Sequence, residues 1–360
     1  MKLVSIFVPS YNSFMKTYID NIVECLSIND KVVVHGVETG ICANDNIALI
    51  VDTKLKYLYN NNDPRIYENF LNYSSEINAD IIFIPRLSHP EFLYSELRVR
   101  KIDSEIIFSV FAFELFSNSK ARRELLIDLI CTSIISRVLI HSILGKHLQM
   151  PFNYRASEFI TKIKFLPEPM YECSNDYLLP INQFTHHNKK TSILYFGNVF
   201  YGKGVDLLLA ASRIVKSGIK IIVAGDFDKI NFDFDISKFK GNDGIEIIDK
   251  FISNEEMMSL FCNCDIVVLP YRKTYENGTS GVFVQAMMAG KPVVVPDIYP
   301  FNATVELYSC GTIFKAEDIN DLANKLDEIS MINRELFKKG IDHFRCDLMS
   351  WQQFASFVIE

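Results

Sequence analysis

The sequence predicts an α/β fold built as two doubly wound domains. Three observations lead there. Short apolar runs alternate with amphipathic stretches of helical period along both halves of the chain. The length of 360 residues exceeds the roughly 100 to 200 residues of a typical domain. A proline-bearing polar stretch breaks the pattern near the middle. Composition supplies the cores: hydrophobic residues make up 49% of the chain, charged residues 22%, and 28 Phe with 16 Tyr provide large side chains to bury.

In the first half the strand-like runs are Leu3 to Val8, Val32 to Val37, Ile81 to Pro85, Ile106 to Phe111, Val138 to Ile140 and Ile163 to Leu166, with helical patterns at Phe14 to Leu26 and Pro64 to Ile77. Strands that alternate with helices imply βαβ units and a parallel sheet. The second half repeats this with strands at Ile193 to Phe196, Ile219 to Ala224, Ile245 to Ile248, Ile266 to Leu269 and Val293 to Val295. Its helices are expected at Val205 to Lys216, Asn254 to Cys262, Gly281 to Ala289 and Ile319 to Ile329. Pro167, Pro169, Pro180 and the polar run Thr185 to Thr191 mark a linker. The boundaries are therefore 1–166 for the first domain, 167–191 for the linker and 192–344 for the second domain, with a last segment at 345–360. Sheets of this kind bind ligands beyond the carboxyl ends of their strands, so a cleft between the domains is the expected site.

A net charge of -7, with Lys and Arg dispersed, gives no general attraction for nucleic acid. Two basic runs, Arg98, Arg100 and Lys101, then Lys120, Arg122 and Arg123, read either as solvated helix ends or as faces toward an anionic surface. The eight Cys are scattered without zinc-ligand spacing, and free thiols suit a cytoplasmic location. The apolar run after Lys2 is too short for a targeting segment. Glu124 to Leu144 is the longest apolar helix candidate, but Asp128, Arg137 and His141 make it too polar to span a bilayer. Peripheral membrane contact stays open.

Two segments carry chemistry. Gly197-Asn198-Val199-Phe200-Tyr201-Gly202-Lys203-Gly204 follows a strand and opens a helix. Glycines there let backbone approach a ligand, a helix N-terminus favours an anion, and Lys203 adds a full charge, which suits a diphosphate. In Asn277 to Pro292, a loop of small residues (Gly278, Thr279, Ser280, Gly281) leads into a short helix and then a Gly290-Lys291-Pro292 turn. Unbonded amides around Ser280 to Phe283 would face an anion, and Gln285, one turn on, could bond a hydroxyl.

Both segments, together with Asp265 to Tyr271 and Glu306 to Gly311, resemble the nucleotide-binding domain of retaining family 4 glycosyltransferases, the glycosyl transferases group 1. That resemblance implies the GT-B fold, two Rossmann-like domains facing each other across a cleft, with the 345–360 helix crossing back onto the first. It implies transfer of a sugar, with retention, from a nucleoside-diphosphate sugar to a hydroxyl of a glycan or lipid-linked glycan, without a cofactor or required metal. In the family a Gly-Arg pair followed by Lys-Gly binds the donor diphosphate, and two glutamates hold the donor sugar and the ribose. Lys203 matches the phosphate lysine and Gly197 the first glycine. Asn198 stands where the arginine is expected, Asn277 replaces the first glutamate and Gln285 the second. Glu276 is the nearest carboxylate, so Lys203, Glu276 and Asn277 form the catalytic set. Thr279 lies in the donor loop. By the same resemblance the amides of Ser280 and Gly281 contact the sugar, those of Val282 and Phe283 the phosphate, and Phe251 and Ile252 the base. On the acceptor side Phe111 occupies the place of a family histidine, and Glu114 is the nearest polar replacement.

Leu3 to Asn12 also looks like the opening strand of family 2 enzymes, which have the GT-A fold and bind a metal through Asp-x-Asp. The triplets Asp226-Phe227-Asp228 and Asp233-Phe234-Asp235 lie in the second half, where they read as turn carboxylates. Tyr11 and Asn12, in the turn after the first strand, are candidates for acceptor contact. His89, after the strand Ile81 to Pro85, is either a general base or an ordinary loop histidine. A GT-B-shaped protein that binds sugar nucleotide without transferring it is the remaining alternative.

Overall fold

The computed structural model describes residues 1–9, 13–51, 55–60, 63–87, 89–111, 120–144, 147, 160–167, 190–227, 234–239, 241–242 and 244–360. The chain forms two units, Met1–Glu172 with Met349–Glu360, and Cys173–Leu348.

The first unit runs β1 (Leu3–Val8), α1 (Ser13–Ser27), β2 (Lys31–Gly36), β3 (Ile47–Val51), α2 (Leu55–Asn60), α3 (Arg65–Glu76), β4 (Ile81–Ile84), α4 (Pro90–Val99), β5 (Glu105–Phe111), α5 (Lys120–Ile130), β6 (Ile135–His141) and β7 (Ile163–Leu166). Among the described residues seven strands pair in the order β3-β2-β1-β4-β5-β6-β7, all parallel. Alternate residues of a strand face opposite sides, and β1 shows what each side holds. Val4, Ile6 and Val8 pack against Ile19, Ile22 and Val23 of α1 on one face. Phe7 stacks on Phe70 of α3 at 4.6 Å on the other, where the Ser5 and Ser74 hydroxyls bond at 2.8 Å. Helices on both faces make the sheet doubly wound.

The second unit runs β8 (Ser192–Phe196), α6 (Val205–Ala211), β9 (Lys220–Gly225), β10 (Ile245–Asp249), α7 (Asn254–Asn263), β11 (Ile266–Val268), α8 (Gly281–Met288), β12 (Val293–Pro296), α9 (Phe301–Tyr308), β13 (Gly311–Phe314), α10 (Ile319–Met331) and α11 (Glu335–Cys346). Its strands, again all parallel, pair in the order β10-β9-β8-β11-β12-β13. Strand order reverses between β8 and β11, the switch point where a doubly wound sheet opens a crevice for a ligand. Local signals fix the helix starts. Ser253 and Glu256 form a reciprocal capping box on α7, and the Asp318 carboxylate accepts from the amides of Asn320 and Asp321 on α10.

The last helix, α12 (Trp351–Ile359), opens on a Ser350–Gln353 capping box and belongs to the first unit. Trp351, Phe354 and Val358 enter the cluster beneath β1 and α1, and Tyr18 of α1 meets Trp351 edge-on at 5.3 Å. Lys2 Nζ donates to the Ile359 carbonyl at 2.8 Å.

Some elements differ from the sequence reading. The segment Glu124 to Leu144 is not one helix: α5 stops at Ile130, and β-branched Ile135 and Val138 with Leu139 and Ile140 continue as a buried strand. Regular helix at Val205 stops at Ala211 rather than Lys216, because Asp327 of α10 captures the Ser217 amide at 2.8 Å and the Lys216 amide at 3.1 Å. Strands β3, an unbroken apolar run, and β13, whose pattern Gly311 and Thr312 dilute, were not among the expected strands and add an edge to each sheet. The first basic run is an ion-paired helix end: Arg100 bonds Glu96 at 2.6 Å, and Lys101 lies 3.7 Å from Asp103. No helix among the described residues is long and apolar enough to cross a membrane. Most of the 167–191 linker, with His186 and His187, lies outside the described residues.

Candidate functional site

At the switch point of the second unit, two glycines let backbone segments meet. Gly204, at φ +65°, lies so close to the segment after β11 that a Cβ would sit 1.9 Å from the Pro270 carbonyl oxygen. A Cβ on Gly225 would sit 1.9 Å from the Gly197 oxygen. These contacts seat the Tyr201–Lys203 turn on the end of β11. Gly197 adopts φ +108°, and a Cβ there would come within 3.5 Å of Val282 in the first turn of α8. The glycine-lysine loop and the loop that opens α8 are therefore neighbours.

Lys203 projects over two tyrosine rings, its Nζ 3.9 Å from the centroid of Tyr271 and 4.2 Å from that of Tyr275. It has no carboxylate partner among the described residues. Burial pushes its ammonium down from 10.5 to about 7, whereas the ring faces, and any bound anion, favour the charged form. Arg272, next to Tyr271, is the opposite case. It is buried, paired with Asp206, 4.0 Å from Glu317, and its Nε donates to the Tyr201 carbonyl at 3.1 Å.

The loop that opens α8 is pinned from behind. The Tyr275 hydroxyl donates to the Thr279 carbonyl at 2.9 Å, and the hydroxyls of Tyr271 and Ser280 share a hydrogen bond at 2.9 Å. Ser280 caps α8 by accepting from the Phe283 amide, at 3.3 Å on Oγ and 3.1 Å on its carbonyl oxygen. The Phe283 amide, expected at a phosphate, is thus spent on the cap, and its ring is buried. The amides of Gly281 and Val282 meet no acceptor among the described residues, and the helix dipole adds to their pull on an anion. Gln285, one turn after Gly281, is half-buried.

Asn277 takes φ +63°, a left-handed conformation that Asn tolerates, and its amide donates to the Tyr299 carbonyl at 2.7 Å. Its amide is therefore not available to a ligand. A Cβ on Gly278 would lie 2.8 Å from the Tyr275 ring, so this position is closed to larger residues.

The structure brings Gly197, Lys203, Ser280, Gly281 and Val282 together at one end of the sheet, with Thr279 and Gln285 flanking them. Asn198 is exposed, and its carbonyl accepts from the Tyr195 hydroxyl at 3.2 Å. Glu276 is exposed beside Asn277. Phe251, 81% exposed, and Ile252 follow the end of β10, whose neighbour β9 lies beside β8. In the first unit, His89 takes φ +53° before α4, stacks on Phe92 at 5.4 Å, and lies 3.5 Å from Glu91. Tyr11, Asn12 and Glu114 lie outside the described residues, as does the Phe111 side chain.

Of the Asp-x-Asp triplets, Asp228 and Asp233 are outside the described residues, and the Asp226 carbonyl accepts from the Val199 amide at 2.8 Å. Among the described residues, no group of His, Cys, Asp or Glu is gathered as a metal site would require. Tyr271, Arg272, Tyr275 and Tyr299 escaped the sequence reading as site residues. The available signal was Tyr271's place just past a buried strand at a switch point.

Residues 181–339 match the family described as Glycosyl transferases group 1. No curated protein matches the chain. Among solved structures, a sucrose-phosphate synthase from Thermosynechococcus elongatus is similar with a TM-score of 0.69 at 15% identity, over 99% of this chain and 97% of that one. Anabaena HepE in complex with UDP gives 0.69 at 15%, over 100% and 98%. A glycosyltransferase from Rickettsia africae gives 0.68 at 15%, over 99% and 97%. The chain has the GT-B fold along its whole length, and its second unit matches a family of sugar transferases.

Proposed function

We propose that the protein transfers a hexose-type unit from a nucleoside-diphosphate sugar to a hydroxyl of a glycan or lipid-linked glycan, with retention and no required metal, in surface polysaccharide synthesis. The observation that carries this reading is the Lys203 ammonium, with no carboxylate partner among the described residues, on the same tyrosine pair that holds the loop before the amides of Gly281 and Val282. These donors supply fixed positive charge where a departing diphosphate develops negative charge, the electrostatic contribution that usually dominates such sites. Gln285 bonds the ribose, the side chain of Asn277 meets the sugar with Glu276 as the nearest carboxylate, and Phe251 with Ile252 faces the base.

In the retaining step, the bond from the anomeric carbon to the diphosphate oxygen breaks and the bond to the acceptor oxygen forms on the same face. The acceptor proton passes to the leaving diphosphate. A lipid-linked acceptor would be met at the cytoplasmic face of the membrane, by peripheral contact.

The test is incubation with a panel of nucleotide sugars and lipid-linked glycans, scoring released nucleoside diphosphate and the anomeric configuration of the product by NMR. UDP-sugars come first, because HepE was solved with UDP. Asn277 and Gln285, both neutral amides, favour a second reading, a binding module without transfer. Nucleotide-sugar binding without turnover across the panel selects that one.

A further inference from the structure

The aromatic pair beneath Lys203 is used at both ends. The ring faces of Tyr271 and Tyr275 hold the Lys203 ammonium at 3.9 and 4.2 Å, while their hydroxyls bond Ser280 and Thr279, each at 2.9 Å. Ser280 and Thr279 directly precede the open amides of Gly281 and Val282. The two rings lie 4.6 Å apart at 57°, forming one wedge between the lysine and the loop. Between them in sequence, Arg272 ties the turn that carries Lys203, its amide donating to the Gly202 carbonyl at 3.0 Å and its Nε to the Tyr201 carbonyl at 3.1 Å. Asp206 neutralises Arg272, so the arginine serves the turn, while Lys203 has no carboxylate partner among the described residues. Burial raises the ionisation of the Tyr271 hydroxyl far above its ordinary value, which keeps the ring neutral and the lysine without an internal counterion.

We propose that Tyr271 and Tyr275 are positioning residues that join the Lys203 ammonium and the Gly281 and Val282 amides into a single diphosphate-binding unit. The assignment rests on the reading of this site as the donor site. It makes the Tyr275 ring act through Lys203, so its effect belongs to the phosphates and shrinks to that of the loop bond when the lysine is gone.

The test measures binding of nucleoside diphosphates (UDP, ADP, GDP) and of the matching nucleoside, the latter by ligand-observed NMR. The proteins are wild type, Y271F, Y275F, Y275L, K203M and K203M/Y275L. Thermal melting establishes that each variant is folded. For whichever diphosphate the wild type binds, Y275L is expected to weaken affinity roughly tenfold, the scale of a desolvated cation–π contact. It should leave the nucleoside unchanged and, in the K203M background, add only the smaller loss that comes from the missing loop bond. Y271F and Y275F, which keep the rings and lose the loop bonds, should show a smaller loss, about threefold. Wild-type affinity in Y275L, equal losses for nucleoside and diphosphate, or additive losses in the double variant would each overturn the positioning role while leaving the donor-site reading in place. If the wild type binds no diphosphate, the donor-site reading falls, and the positioning role falls with it. Should Y275L not fold, Y275M, alone and combined with K203M, makes the same comparison.

Discussion

Lys203 and Arg272 flank the same tyrosine yet differ in electrostatic circumstance: Arg272 is paired with Asp206, whereas Lys203 faces ring π-surfaces and no described carboxylate. A buried cation that is already neutralised serves structure, and one left open retains its attraction for a ligand.

Replacing Lys203 by Ala or Met should therefore lower kcat/KM by about a hundredfold, in the range seen when one donor to a developing oxyanion is removed. Steady-state kinetics on the donor found in the panel checks this, and an unchanged value rules out the phosphate assignment. Thermal shift gives a parallel readout, because a bound diphosphate stabilises only the folded chain and K203M should lose most of the increment.

The pH dependence follows from the same residue. Burial lowers the Lys203 ammonium from 10.5 to about 7, so between these values the unfolded chain binds the extra proton. Wild-type stability, compared with K203M, accordingly falls as pH drops from 10.5 toward 7. A bound diphosphate holds the proton on the lysine, so the affinity advantage of wild type over K203M should shrink as pH rises through about 7. Calorimetry near neutral pH in buffers of different ionisation enthalpy should register proton uptake by the wild type in excess of that by K203M.

His141, fully buried on β6 between Tyr18 and the Pro167 carbonyl, supplies a second titration. Desolvation lowers it from 6.5 to about 4, so the unfolded chain takes up the proton first as pH falls. Its contribution is present above pH 6.5 and is lost on descending to about 4, by about 3 kcal/mol at most. Urea denaturation at stepped pH, followed by Trp351 fluorescence, should show this loss, and H141N should flatten it.

Gly204 and Gly281 give a matched pair for stability. A Cβ at Gly204 meets the Pro270 oxygen at 1.9 Å in a left-handed backbone, whereas a Cβ at Gly281 meets nothing within 4 Å. G204A should cost about 2 to 4 kcal/mol, and G281A should be neutral or slightly stabilising. Chemical denaturation of the two variants decides it.

The fold class was legible because both sheets are parallel and buried on two faces, so strands such as Ile81–Ile84, Ile266–Val268 and Val293–Pro296 read as unbroken apolar runs. Strand Ile47–Val51 was legible as an unbroken apolar run yet was not among the expected strands, whereas in Gly311–Phe314 Gly and Thr dilute the pattern. Lys203 and the Ser280–Gly281 turn were visible through glycine punctuation. Tyr271 and Tyr275 were not, since aromatic residues carry no local signature among 16 Tyr. Their role arises only when sheet order sets the end of β11 beside that of β8. The Phe283 amide was misread because capping by Ser280 is settled by loop geometry, which spacing does not disclose.

Helix α12 closes the hydrophobic cluster of a unit whose other elements were all made before the second unit began. During synthesis the first sheet therefore emerges early and waits, with the apolar flank that Trp351, Phe354 and Val358 will cover still exposed to water and to other chains. Without the Trp351–Ile359 helix that core stays unfinished, so burial of one tryptophan reports closure of the first unit.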